Sequence, residues 1–189
     1  GLEGEAREDA EIIMGISEEV IDLTEALRDL MKSLTTGKPE LIPVNLPKVL
    51  GNEVRKSRLS FDEARFVVGE IPDVEVEANE MLSSVFTNLL SNAVRHNDKP
   101  EPYIEVGVEE TEDEVVVSVA DNGPGVRDEK KEMIFGRGEK GLESPGSGVG
   151  LYLVDTLVMQ YSGEVWVEDN DEEPEGAVFK VRLKKVGSE

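Results

Sequence analysis

The stretch EVVVSVADNGPG, residues 114–125, sets the tightest limit on the fold. Successive side chains alternate along a strand, so Val115, Val117 and Val119 point to one side, and Asp121 continues their phase at the strand's end. That apolar row faces a core. A carboxylate delivered to the edge of that core is costly unless it meets a donor. Just beyond it, Gly123 and Gly125 let the backbone turn sharply, although an ordinary turn would use the same residues.

The remaining sequence supplies the covering layer. LIPVNL reads as a short strand, Pro47 opens a helix to about Arg58, and RFVVGEI and VEVEA read as strands around the turn at Pro72-Asp73. A longer helix runs from Met81 to about Arg95. YIEVGVEE and EVVVSVA form a hairpin across Thr111-Glu112-Asp113, a helix covers Gly150 to Tyr161, and EVWVEDN with AVFKVRL makes a final hairpin. Helices beside mostly antiparallel strands predict an α+β fold, a two-layer sandwich over residues 43–186. Ahead of it, Ile13, Ile16, Val20, Leu23, Leu27, Leu30 and Leu34 alternate spacings of three and four, the seam of a coiled-coil-like helix over residues 1–36. That seam expects a helix of a second copy or of an upstream segment as its partner, or else folds back on its own domain. The chain opens on Gly rather than Met, in keeping with an upstream partner helix.

Charge narrows the partners. Forty-two acidic residues against 20 basic ones give a formal charge of −22, which makes nucleic acid and anionic membrane poor partners. No apolar stretch approaches the length of a membrane span, so no membrane contact is expected and a cytoplasmic location is. The absence of Cys excludes disulfides and thiolate chemistry. Against this acidic background the segment between Val126 and Ser147 is neutral, with Arg127, Lys130, Lys131, Arg137 and Lys140 balanced by Asp128, Glu129, Glu132, Glu139 and Glu143. A neutral loop in such a chain is suited to an anion.

Three groups of residues carry the chemistry. In SSVFTNLLSNAVRHND, Leu82, Val85, Phe86, Leu89, Leu90 and Ala93 share one side of the helix, and Asn88, Asn92 and Arg95 form a stripe on its flank. Amide oxygens suit Mg²⁺ and a guanidinium suits phosphate, although a plain polar helix margin has the same pattern. Asp121 offers an acceptor that the exocyclic amine of a purine would satisfy. In GSGVGL, Gly146, Gly148 and Gly150 lead into a helix whose N-terminal amides can hold phosphate without basic side chains.

In their order along the chain these segments resemble the ATP-binding catalytic domain of sensor histidine kinases, within the superfamily that includes the heat-shock chaperone, type II topoisomerase and mismatch-repair ATPases. NLLSNAVRHN resembles the asparagine box, DNGPGV the first glycine box, IFGRG the phenylalanine box and GSGVGLYLV the second glycine box. The resemblance implies a Bergerat-type fold in which Asn92 binds Mg²⁺ at the phosphates with Asn88 assisting, Arg95 contacts phosphate, His96 packs near adenine and Asp121 takes the adenine amine. It further implies nucleotide contacts from Gly123, Gly125, Val126, Phe135, Arg137, Lys140, Gly146, Ser147, Gly148, Val149, Gly150, Leu151 and Ala177. Residues 126–147 become an ATP lid. Gly176 is followed by Ala177 where the family often has Gly-Thr, so a hydroxyl near adenine is lost or replaced.

The function implied is transfer of the ATP γ-phosphoryl group to a His on a helix outside this chain, for relay to a response-regulator receiver domain, in a homodimer joined through the N-terminal helix. The one His, His96, belongs to the asparagine box and not to an acceptor helix. In the hydrolytic relatives a Glu four residues before the metal-binding Asn activates water, and here that place holds Asn88, a poor base. An ATP-binding module without phosphotransfer and an anti-sigma-type serine kinase are the alternatives.

Overall fold

A computed structural model describes residues 17, 20, 21, 24, 26–29, 31, 32, 40–136, 149–170 and 176–187. Five strands form the main sheet. β2 (Arg65–Val68) lies at one edge, followed by β4 (Tyr103–Glu110), β5 (Glu114–Asp121), β7 (Gly176–Lys184) and, at the other edge, β6 (Glu164–Asn170). Only β2 and β4 run parallel. β1 (Ile42–Asn45) and β3 (Glu75–Ala78) make a separate antiparallel pair. The two strands flanking Pro72-Asp73 are therefore not partners. β2 stops at Val68 rather than Ile71 because it is paired only through Val68↔Val106, and the chain then leaves for the smaller sheet.

Helices α1 (Leu46–Ser60), α2 (Leu82–Arg95) and α4 (Val149–Gln160) cover one face of the sheet, and a single turn, α3 (Asp128–Lys131), follows β5. α1 starts where expected, because Pro47 stands in its first turn and the Asn45 side chain accepts from Lys48 N at 2.9 Å. The alternation along β5 appears directly in its burial: Val115, Val117, Val119 and Asp121 are buried and the residues between them are not. The buried side of the sheet meets Leu50 and Val54 of α1, Val85, Phe86 and Leu89 of α2, and Leu153, Val154 and Leu157 of α4 in one continuous core. The opposite side is lined by the smaller and polar residues of the same strands.

Among the described residues of the N-terminal seam, Val20 and Leu27 are exposed; Ile13, Ile16, Leu23, Leu30 and Leu34 lie outside the described residues. Ala26, off the seam, is buried against the core. Ser84 donates to Asp29 at 2.6 Å and Lys32 pairs with Glu80 at 2.9 Å, so this helical segment lies beside the start of α2. No helix among the described residues is long and apolar enough to cross a membrane.

Candidate functional site

α2 buries its seven apolar residues, the six expected ones and Val94, and leaves Asn88 and Asn92 half-buried and Arg95 exposed on the flank. Asn88 Nδ2 donates to the Ser84 carbonyl at 2.7 Å, which commits the amide nitrogen and fixes Oδ1 as the available atom. That oxygen lies against the first turn of α4. A Cβ on Gly150 would stand 2.5 Å from it, so the absence of a side chain at Gly150 is what lets the two helices meet here. Asn92 makes no side-chain hydrogen bond within the described residues. The Arg95 guanidinium lies 5.8 Å from the centre of the Phe61 ring, beyond the end of α1. His96, exposed, ends α2, its N–H donating to the Asn92 carbonyl at 3.1 Å.

The second group forms where β5 ends beside the start of β7. Asp121 is 8% exposed, and its Oδ1 accepts from Gly123 N at 2.8 Å and from Ala177 N at 3.4 Å. No buried side-chain oxygen among the described residues is left unpaired, so Oδ2 reaches solvent. Burial pushes this carboxyl above the ordinary Asp value, with the two amides pulling against it. Glycines permit the geometry. Gly125 has φ +71°, in the left-handed region, and a Cβ on Gly176 would collide with the Asp121 carbonyl oxygen. No side-chain hydroxyl stands at Ala177, and only its backbone amide faces the acid.

Two asparagines that lie within the motifs but were assigned no role join these groups. Asn97, just past α2, donates from Nδ2 to Asn122 Oδ1 at 2.8 Å, and the same oxygen accepts from Tyr103 N at 2.8 Å. The end of α2 is thereby tied to the residue after Asp121. Both adjoin residues already singled out, and Asn readily bonds nearby backbone at such bends. Tyr161, fully buried after α4, donates to Asn79 Oδ1 at 2.7 Å; neither residue belongs to a recognisable motif.

The proposed lid begins in a defined way. Phe135 is buried with its ring edge-on to Phe179 of β7 at 6.3 Å, and Lys131 bonds Asp128 and Asp169 at 2.6 Å each, neighbours that raise the lysine and lower Asp128. Val126 and Val149 are half-buried and Leu151 is buried at the two sides of this segment. Arg137, Lys140, Gly146, Ser147 and Gly148 lie outside the described residues. The donor set suits a hard cation only in part by itself. No cluster of His, Cys, Asp or Glu among the described residues could hold a metal, whereas Asn88 Oδ1 and the open amide of Asn92 offer two oxygens of the kind Mg²⁺ takes, with anionic oxygens needed for the remainder.

The sequence profile of histidine kinase-, DNA gyrase B-, and HSP90-like ATPases matches residues 77–187, more than half of the chain. Cyanobacterial phytochrome A of Nostoc sp. is 31% identical over 147 residues, which are 76% of this chain and 19% of that protein. Sensor histidine kinase DpiB of Escherichia coli is 34% identical over 109 residues, 55% of this chain and 19% of that protein. The chain thus spans about a fifth of the length of these curated relatives. Among solved structures, the catalytic domain of histidine kinase ThkA superposes with a TM-score of 0.64 at 25% identity, covering 78% of this chain and 97% of that one.

Proposed function

The chain belongs to the histidine kinase-, DNA gyrase B-, and HSP90-like ATPase family, and from that membership we propose that it is the ATP-binding catalytic core of a two-component sensor histidine kinase. The observation that supports the reading is the buried Asp121, held on Oδ1 by backbone amides, beside the end of α2, which Asn97 ties to Asn122 and whose flank carries Asn88 and Asn92. Asp121 accepts the adenine amine on Oδ2 while its Oδ1 is held by backbone amides. Asn88 and Asn92 present oxygens toward the phosphates, and Arg95 supplies a positive contact there. Mg²⁺ would screen charge on the phosphate oxygens. Residues 126–147 close over the nucleotide and exclude water.

The step performed is displacement at the γ-phosphorus. An imidazole nitrogen of the acceptor His, on a helix outside this chain, forms the new P–N bond as the bond to the ADP oxygen breaks. The chain's own contribution is positioning and electrostatics, as in phosphoryl transfer generally. Asn88 carries no proton-accepting base, and its nitrogen is already committed to Ser84, so water is not activated. The phosphoryl group then passes to the Asp of a response-regulator receiver domain, and the seam of residues 1–36 joins two copies.

Mixing the chain with a helical-hairpin fragment bearing the acceptor His and γ-labelled ATP tests this. Acid-labile phosphohistidine on the hairpin is expected, with very slow phosphate release from the chain alone. Rapid multiple-turnover release would make it a hydrolytic ATPase, and nucleotide binding with no labelled hairpin under any condition would make it a binding module without transfer.

A further inference from the structure

The face of the main sheet turned away from the helices carries a trough of about 660 Å³. Its floor is built from small residues in register: Gly107 opposite Ser118, and Ala120 one row along, opposite Val178. Glycine in the middle of a strand contributes no side-chain packing and often marks a close approach by a ligand or another backbone. Here a Cβ on Gly107 would stand 2.7 Å from Ser118 Oγ, so the Ser118 hydroxyl leans over the glycine and forms the floor of the notch.

Charge around the notch is one-sided. Lys180, opposite Ser118, donates to Glu168 at 2.6 Å, and the Trp166 indole donates to the same carboxylate, which neutralises the β6–β7 wall. Along β4, Glu105 and Glu109 flank Gly107, both exposed, and no ion pair or hydrogen bond within the described residues engages either carboxylate. They stand roughly 13 Å apart along the strand, with the side-chain-free position midway. A planar guanidinium entering there reaches a carboxylate on each side. Arg65 also lines the trough, but it pairs with Tyr103, four positions along β4 from Gly107, and lies 5.7 Å from the centre of that ring.

We propose that this trough docks an arginine-bearing extended segment of a protein partner, one guanidinium seated over Gly107 between Glu105 and Glu109. The site is separate from the nucleotide cleft, which lies on the helix-covered side of the same sheet. The long acidic β4 wall favours a chain segment over a small cation, because successive basic side chains can follow it.

A fluorescein-labelled peptide alternating arginine and threonine, titrated against the whole chain at about 0.15 M salt, tests the proposal. Saturable binding is expected, weakened at least about tenfold by Glu105→Gln with Glu109→Gln, and abolished by Ser118→Arg, which fills the notch with its own cation. Asp73→Asn with Glu75→Gln removes the same charge at the smaller β1–β3 sheet, outside the trough lining, and is expected to change the affinity less than about twofold. Circular dichroism of each variant establishes that it is folded. Equal weakening by the two double variants would reduce the binding to attraction by net charge, and a wild-type chain that does not bind the peptide would also overturn the proposal.

Discussion

Asp121 carries opposing demands. Burial raises its carboxyl, so the folded chain holds the proton more tightly than the unfolded one. For this group stability is greatest below the ordinary Asp value and falls as pH rises through the higher folded value, because above that point a desolvated charge must be kept. Asp121→Asn is therefore expected to leave the thermal midpoint of the nucleotide-free chain unchanged or higher at pH 7, with the difference shrinking as pH falls to about 4. The same change sets an amide donor where the adenine amine needs an acceptor. ATP affinity, measured by calorimetry, should fall by about a hundredfold or more, and adenine should lose its advantage over guanine. Retained affinity would remove Asp121 from the adenine role. Asn92→Ala is expected to weaken binding in the presence of Mg²⁺ by about tenfold and binding in EDTA by much less, since the amide oxygen acts through the cation. Equal losses in the two titrations would mean that Asn92 is not a ligand.

At the scale of elements, the meeting of α2 and α4 depends on Gly150. Placing a methyl group there forces Asn88 from its position, because the intruding Cβ meets Oδ1 at 2.5 Å. Gly150→Ala is expected to raise the Kd for ATP by about tenfold or more, even though alanine favours helix by about 1 kcal/mol. A gain in helix stability without loss of affinity would show that the close approach does not matter. The elements themselves were largely legible: the period-two pattern of Val115, Val117 and Val119 and the 3.6-residue pattern of Leu82 to Ala93 announce their buried faces without any tertiary information. The allocation of strands to sheets was not. RFVVGEI and VEVEA flank a turn and look like neighbours, but β2 pairs with β4 and β3 with β1, choices made by long-range partners that no local pattern encodes. Asp121 was visible because a charge interrupts an apolar phase. Asn97, Asn122 and Tyr161 were not, because their importance lies in partners 25, 19 and 82 positions away.

The whole molecule approaches its substrate against its own field. A formal charge of −22 repels ATP, and the described acidic residues are spread over the surface rather than gathered opposite the cleft. Screening over a Debye length of about 10 Å at 0.1 M salt removes most of that repulsion. ATP association, followed by stopped flow at fixed free Mg²⁺, should therefore accelerate several-fold between about 0.01 and 0.15 M salt, the reverse of the usual result for an anion entering a basic site. An association rate that falls with salt would mean that positive charge at the cleft dominates the global field.

The Tyr161–Asn79 bond gives the two cleft helices a pivot. Asn79 stands just before α2 and Tyr161 just after α4, so the pin joins the start of one rod to the finish of the other. Gly150 lies at the far end of α4, eleven residues and roughly 16 Å from the pin at the helical rise. A swing of one degree there displaces the glycine by about 0.3 Å while hardly disturbing the clamped end. On the proposed reading the triphosphate sits where the lever arm is longest, so small angular adjustments suffice to tighten or release it.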